Sequence, residues 1–225
     1  MGSGWLIALA GVAPWVVLAT LNARFRPDIP WAAAATTLSL VLLMAWLNGV
    51  GWPEGTKDAR HHLLRLRRPS AHAWSPGQLP GTLALVGAIA GMALLWILTS
   101  VDQRITDLSA YPTPAYRISV LVMGAVVSGV VEEAAFRGYA QSMLEPWGRD
   151  RAIVLASVAF VLAHITHGPM ALLIMAPGYF AVSYLYGLLA CRTGSIVPGI
   201  ILHVAGDFLH TVFAVLGGDL GQLLR

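Results

Sequence analysis

The chain has 225 residues, of which 57% are hydrophobic and only 11% charged. Soluble domains carry about 25% charged residues, so an ordinary soluble domain is a poor fit. The mean hydropathy of +0.70 points the same way. The net charge is a modest +3, and one cysteine, Cys191, excludes an internal disulfide and a cysteine metal cluster.

The apolar residues fall in long blocks, and a spanning helix needs roughly 20 mostly apolar residues. The blocks predict spans at about 5–22, 31–51, 81–100, 117–144, 151–167, 170–191 and 196–216. The expected fold is therefore all-α, a polytopic transmembrane helical bundle of about seven helices forming one membrane domain, 1–225. The first block lacks a basic leader and is long for a signal peptide, so it reads as a retained helix. Trp5, Trp31 and Trp52 lie at block ends, where indole rings favour the head-group region. Leu6 breaks the myristoylation pattern.

The one long polar connection is 53–80, with Lys57, Arg60, Arg65, Arg67 and Arg68 in one stretch. Such a cluster marks the cytoplasmic side and meets anionic lipid of the bilayer, and it is poor support for nucleic-acid binding. Two readings stand for 56–68: a short helix on the membrane surface, or a solvated basic loop. Arg149, Arg151 and Arg192 then fall on the cytoplasmic side, and Arg24, Arg26, Arg104 and Arg117 on the other.

The first three blocks carry no charge in their cores, so residues 1–116 read as scaffold. The chemistry begins in the fourth block with Ser128-Gly129-Val130-Val131-Glu132-Glu133-Ala134-Ala135-Phe136-Arg137-Gly138. Each charge at the bilayer centre costs about 2.5–3.5 kcal/mol on insertion scales. Glu133 and Arg137 are four apart on a helix and can pair. Glu132 points about 100° away and faces something else. The fifth block brings Phe160 and His164, and the seventh brings His203 and Asp207, four apart on one face. At about 1.5 Å per residue, Glu132, His164 and His203 all fall within the hydrocarbon layer. His167 and His210 read as structural, and Gly124, Ser128 and Gly129 as sites of close helix packing.

A buried carboxylate suits a general base near neutral pH, and a neighbouring imidazole can help hold a water. A second imidazole or a protonated acid can donate to a developing oxyanion. Such parts describe hydrolysis of an amide or ester without a covalent nucleophile. A zinc H-E-x-x-H motif is absent from the sequence. Val126 breaks a serine-type G-x-S-G, and Val204 breaks an aspartyl-type G-x-G-D.

Glu132-Glu133-x-x-x-Arg137, Phe160-x-x-x-His164 and His203-x-x-x-Asp207 resemble the three motifs of the CPBP family. These are type II CAAX prenyl endopeptidases and bacteriocin-processing or immunity proteins, also called the Abi family. Phe136-Arg137-Gly138 and Arg192-Thr193-Gly194-Ser195-Ile196-Val197-Pro198 fit too, and the resemblance covers about 117–215. It implies a glutamate-dependent intramembrane endopeptidase of a bacterial inner membrane, working without a cofactor. Glu132 would be the base, with His164 helping to hold the water. Glu133 and Arg137 would shape the site, and His203 with residue 207 would stabilise the oxyanion. The motif usually ends in Asn, whereas Asp207 donates only when protonated, or else orients His203. The implied partner is a membrane-associated protein or peptide, such as a C-terminal sorting or leader segment. Two other classes stand beside this one. They are a divalent-metal-dependent membrane hydrolase using Glu132, Glu133, His164 and His203, and a non-catalytic immunity or scaffold protein. A proton-coupled transporter lacks the paired broken helices and repeats it would need.

Overall fold

The computed structural model describes residues 31–49, 57–100, 125–126, 128–164 and 169–223, so the expected span at 5–22 lies outside the described residues. Every described element is helical. Helix α1 is Trp31–Leu47 and the short α2 is Lys57–Leu63. A 3-10 turn at Ala71–Trp74 leads into α3, Leu79–Ser100. Helix α4, Ser128–Glu132, runs directly into a π-helical segment, Glu133–Ala140, and then α5, Gln141–Leu144. A 3-10 turn at Glu145–Trp147 precedes α6, Arg149–Ala163. Helices α7, Pro169–Thr193, and α8, Val197–Leu223, follow.

Local sequence explains the joints. Gly194 takes φ +64° just past the end of α7, where a side chain would be strained. The Ser195 hydroxyl then accepts the Val197 N–H at 3.1 Å. Pro198 falls in the first turn of α8, where a missing N–H does no harm. Two helices are long and apolar enough to cross a bilayer: Leu79–Thr99 and Leu172–Thr193. Only 17% and 22% of their apolar windows are buried inside the protein, which is not the pattern of a soluble core helix. Leu94, Leu95 and Leu98 of α3, and Leu173 and Ile174 of α7, turn outward. Val197–Val212 is a shorter apolar stretch. Helices α1 and α6, of 17 and 15 residues, fall below that length. The expected span 151–167 is helical only to Ala163, and 165–168 lie outside the described residues.

Helix α8 packs against α3, α4 and α7, while α6 packs on α7 and the π segment. A Cβ at Gly129 would sit 2.9 Å from Val204 Cγ2 and 3.1 Å from Val204 N, so only glycine allows α4 and α8 this close. This approach brings the carboxylates of one helix to the imidazole of the other.

The basic connection contains the short helix of the first sequence reading, but not as a free-standing surface element. The helix covers Lys57–Leu63, and the chain beyond it is docked onto the protein. Arg60, expected among head groups, is buried, with its guanidinium 5.0 Å from the Trp46 ring centroid and bonded to the Trp46 carbonyl. Arg65 pairs with Glu145. Burial works against its cation, but Glu145 and Cys191 outweigh it and hold the pKa above the ordinary value. Backbone bonds tie the connection to the α7–α8 joint. Ser70 N–H donates to Thr193 O at 2.8 Å and Ile196 N–H to Arg65 O at 3.1 Å. Arg67 Nε donates to Gly194 O at 2.8 Å. Arg192 reaches back to Gln78 and Thr82 at the start of α3. Charge counting could not see this, because Arg60 and Arg67 find their acceptors on distant carbonyls and Arg65 on a distant carboxylate.

Candidate active site

Helix α4 and the π segment deliver Glu132, Glu133 and Arg137 side by side. Glu133 and Arg137 are 0% and 1% exposed, and Arg137 Nη1 lies 2.9 Å from Glu133 Oε1. The expected pair is therefore present, inside a π-helical turn. Such turns are rare and concentrate at functional sites. The flat face of the Arg137 guanidinium lies 4.4 Å from the Phe160 ring centroid and 5.1 Å from that of Tyr186. Aromatic faces attract a cation most strongly when water is excluded, so two rings and one carboxylate together compensate a charge deep in the protein.

Glu133 Oε1 has a second partner. His203 Nδ1 lies 3.0 Å away, and since the carboxylate accepts, this nitrogen carries the proton. The opposite nitrogen, Nε2, faces Asp207 Oδ2 at 3.5 Å and Glu132 Oε2 at 3.8 Å. Both separations exceed ordinary hydrogen-bond length, and the two carboxylates converge on one imidazole nitrogen. The Tyr186 ring stacks on His203 at 5.3 Å and 20°, fixing the plane in which Nε2 points. The Asp207 side chain is 42% exposed against 12% for His203, so Asp207 stands on the open side of the cluster.

His164 enters from the end of α6, buried against aromatic rings. Its Nδ1 lies 2.8 Å from the Phe160 carbonyl, which can only accept, so Nδ1 carries a proton here too. In the neutral ring Nε2 is then an acceptor. Phe160 carries both imidazoles, with ring centroids 4.6 Å from His164 and 6.4 Å from His203. The Tyr179 ring lies 4.3 Å from that of His164, tilted by 34°. Every candidate named from the sequence (Glu132, Glu133, Arg137, Phe160, His164, His203 and Asp207) thus falls in one network of rings and carboxylates. His210 packs 6.1 Å from Trp96 on α3 instead, and His167 lies outside the described residues. Among the described residues, no group of three or more His, Cys, Asp or Glu side chains is arranged as a metal site.

Three contributors were not read from the sequence. Tyr179 and Tyr186 are seven apart on α7, a spacing that places both on one face toward the site. Gly199 is the third. A Cβ there would meet Glu133 Oε2 at 2.8 Å. Gly199→Ala is expected to push the Glu133 carboxylate off His203. A misplacement of about 1 Å costs up to about a hundredfold in rate. Activity should fall by that order while the protein still inserts and purifies, as checked by a cleavage assay beside a size-exclusion profile.

The helices Leu79–Thr99 and Leu172–Thr193, long and apolar enough to cross a bilayer, beside a buried carboxylate–imidazole network, are the features of a membrane protein class. Residues 114–209 match the family described as type II CAAX prenyl endopeptidase Rce1-like. The match contains every site residue above, and over that stretch the chain is similar to a family of membrane proteases. No curated protein and no solved structure matches the chain significantly.

Proposed function

We propose that the chain is a multi-pass intramembrane endopeptidase of a bacterial inner membrane. It hydrolyses a peptide bond of a membrane-associated protein or peptide with water activated by Glu132. The observation that carries this reading is the posture of His203. Its Nδ1 is anchored on Glu133, and its Nε2 faces a space bounded by Glu132 and Asp207.

In this reading, a water in that space gives its proton to Glu132 as it attacks the scissile carbonyl. His164 Nε2 accepts a second hydrogen bond from that water and orients it. The carbonyl oxygen becomes an oxyanion, and preorganised donors aimed at developing charge are the largest usual source of rate. His203 donates from Nε2 only as the imidazolium, a charge that Glu133, Glu132 and Asp207 around it compensate. Asp207, on the open side, adds a donor when protonated and otherwise orients His203. Glu132 then returns its proton to the leaving amine, and the peptide bond breaks. No cofactor enters these steps. The catalytic unit is the 117–215 core, with 1–116 as scaffold.

In this reading the substrate is a segment that reaches membrane depth, such as a C-terminal sorting or leader segment. Membrane fractions from cells with the wild-type chain and with Glu132→Gln test this, with new peptide termini read by mass spectrometry. Wild-type cells should show termini within or beside membrane segments that the variant lacks. Identical termini in both strains would end the proposal.

A further inference from the structure

A second built feature lies away from these residues. Arg65, Arg67, Glu145, Arg149, Cys191 and Gly194 line a cavity of about 450 Å³. Glu145 is twelve residues beyond Glu133 along a nearly continuous helix, roughly 15–18 Å at about 1.5 Å per residue. The cavity is therefore a separate place from the proposed catalytic centre.

Its charge is unbalanced. Arg65 and Glu145 pair with each other, leaving the guanidinium groups of Arg67 and Arg149 in excess around one small space. Arg67 is held rigidly by its Nε bond to Gly194 O, at 2.8 Å, and by Nη1 against His62 Nδ1, at 3.3 Å. A Cβ at Gly194 would come 3.4 Å from Arg67 Nη2, so the absence of a side chain there keeps that nitrogen uncovered. Arg149 opens α6, whose N-terminal end adds positive potential. On the inner wall Cys191 Sγ accepts from Gln141 Nε2 at 3.0 Å and sits 3.5 Å from Glu145 Oε1. The Arg67 guanidinium, held in place, and a second one from Arg149 on the lining of one space suit a phosphate, which takes paired N–H donors from arginine.

We propose that this cavity binds a phosphate-bearing anion. Its position names the source that meets it first. The apolar span Leu172–Thr193 ends at its edge, and the neighbouring Trp147 is 65% exposed, as an interfacial anchor would be. The cavity thus opens where phospholipid head groups lie. Occupancy would bridge Arg67 of the docked connection to Arg149 of the core and so hold the two together.

Cys191 is the chain's single cysteine and lines the cavity, so its alkylation by N-ethylmaleimide reports occupancy without engineering. The full chain is placed in a phosphate-free maltoside detergent, in nanodiscs containing phosphatidylglycerol, and in the maltoside detergent with inorganic phosphate. With ligand at tenfold its Kd, the open fraction and the labelling rate fall roughly tenfold. Slowing by phosphatidylglycerol assigns the site to lipid, and slowing by inorganic phosphate alone assigns it to a soluble anion. Arg149→Gln should remove the protection, and Arg151→Gln, outside the cavity, should keep it. Equal labelling in all three preparations of the wild type would overturn the proposal. So would protection that survives in Arg149→Gln, because a bulk membrane potential would then account for it.

Discussion

Glu132→Gln is expected to lower cleavage by about 10²–10⁴-fold, the usual contribution of a positioned general base. The amide keeps the size of the carboxylate but cannot take a proton from water. Glu132 is not the residue that Arg137 neutralises; that is Glu133, at 2.9 Å. Loss of the Glu132 charge should therefore leave the buried ion pair intact and the melting temperature close to that of the wild type. Purified protein, a quenched peptide substrate and a thermal unfolding curve measure both sides. A variant that keeps most of its activity would show that another group activates the water. If unfolding and activity fell together, Glu132 would be part of the scaffold.

Arg137→Met should have the opposite signature. It leaves the Glu133 carboxylate, 0% exposed, without its guanidinium, and removing one partner of a buried pair costs about 3–5 kcal/mol. The double variant Glu133→Gln/Arg137→Met removes both charges and should recover part of that loss, since paired residues are not additive. It should not recover activity, because His203 Nδ1 loses the carboxylate that holds it at 3.0 Å. Unfolding of the two single variants and the double in one detergent gives the coupling. Purely additive losses would mean that the pair does not act as a unit. Full activity in the double variant would mean that Glu133 does not position His203.

The sequence made the charged residues legible for a simple reason: lipid penalises charge, so each ionisable residue in an apolar block needed a partner. The i, i+4 spacing identified Glu133–Arg137 and His203–Asp207, and the structure places both pairs within 4 Å. The bond between Glu133 and His203 was not legible, because it joins residues 70 apart through the contact of two helices. Tyr179, Tyr186 and Gly199 were hidden by type. An aromatic or a glycine in an apolar helix looks like packing until its neighbour is known. The π turn was hidden because periodicity arguments assume 3.6 residues per turn, and a local widening leaves no mark in composition. The basic connection was misread for the reverse reason. Its charge was plain, but its acceptors are distant: backbone carbonyls for Arg60 and Arg67, which every sequence has everywhere, and the Glu145 carboxylate for Arg65.

The ties between that connection and the α7–α8 joint set an order of events during synthesis. Ile196 N–H bonds to Arg65 O across 131 residues, and Glu133 waits for a histidine 70 residues later. Contacts that close such long loops form late, after the entropy of closure has been met. A ribosome still translating the last helix therefore holds a chain with both glutamates in place and no His203 beside them. The Glu133–His203 bond therefore cannot form on a chain still being made, and the network closes only when α8 has joined the bundle.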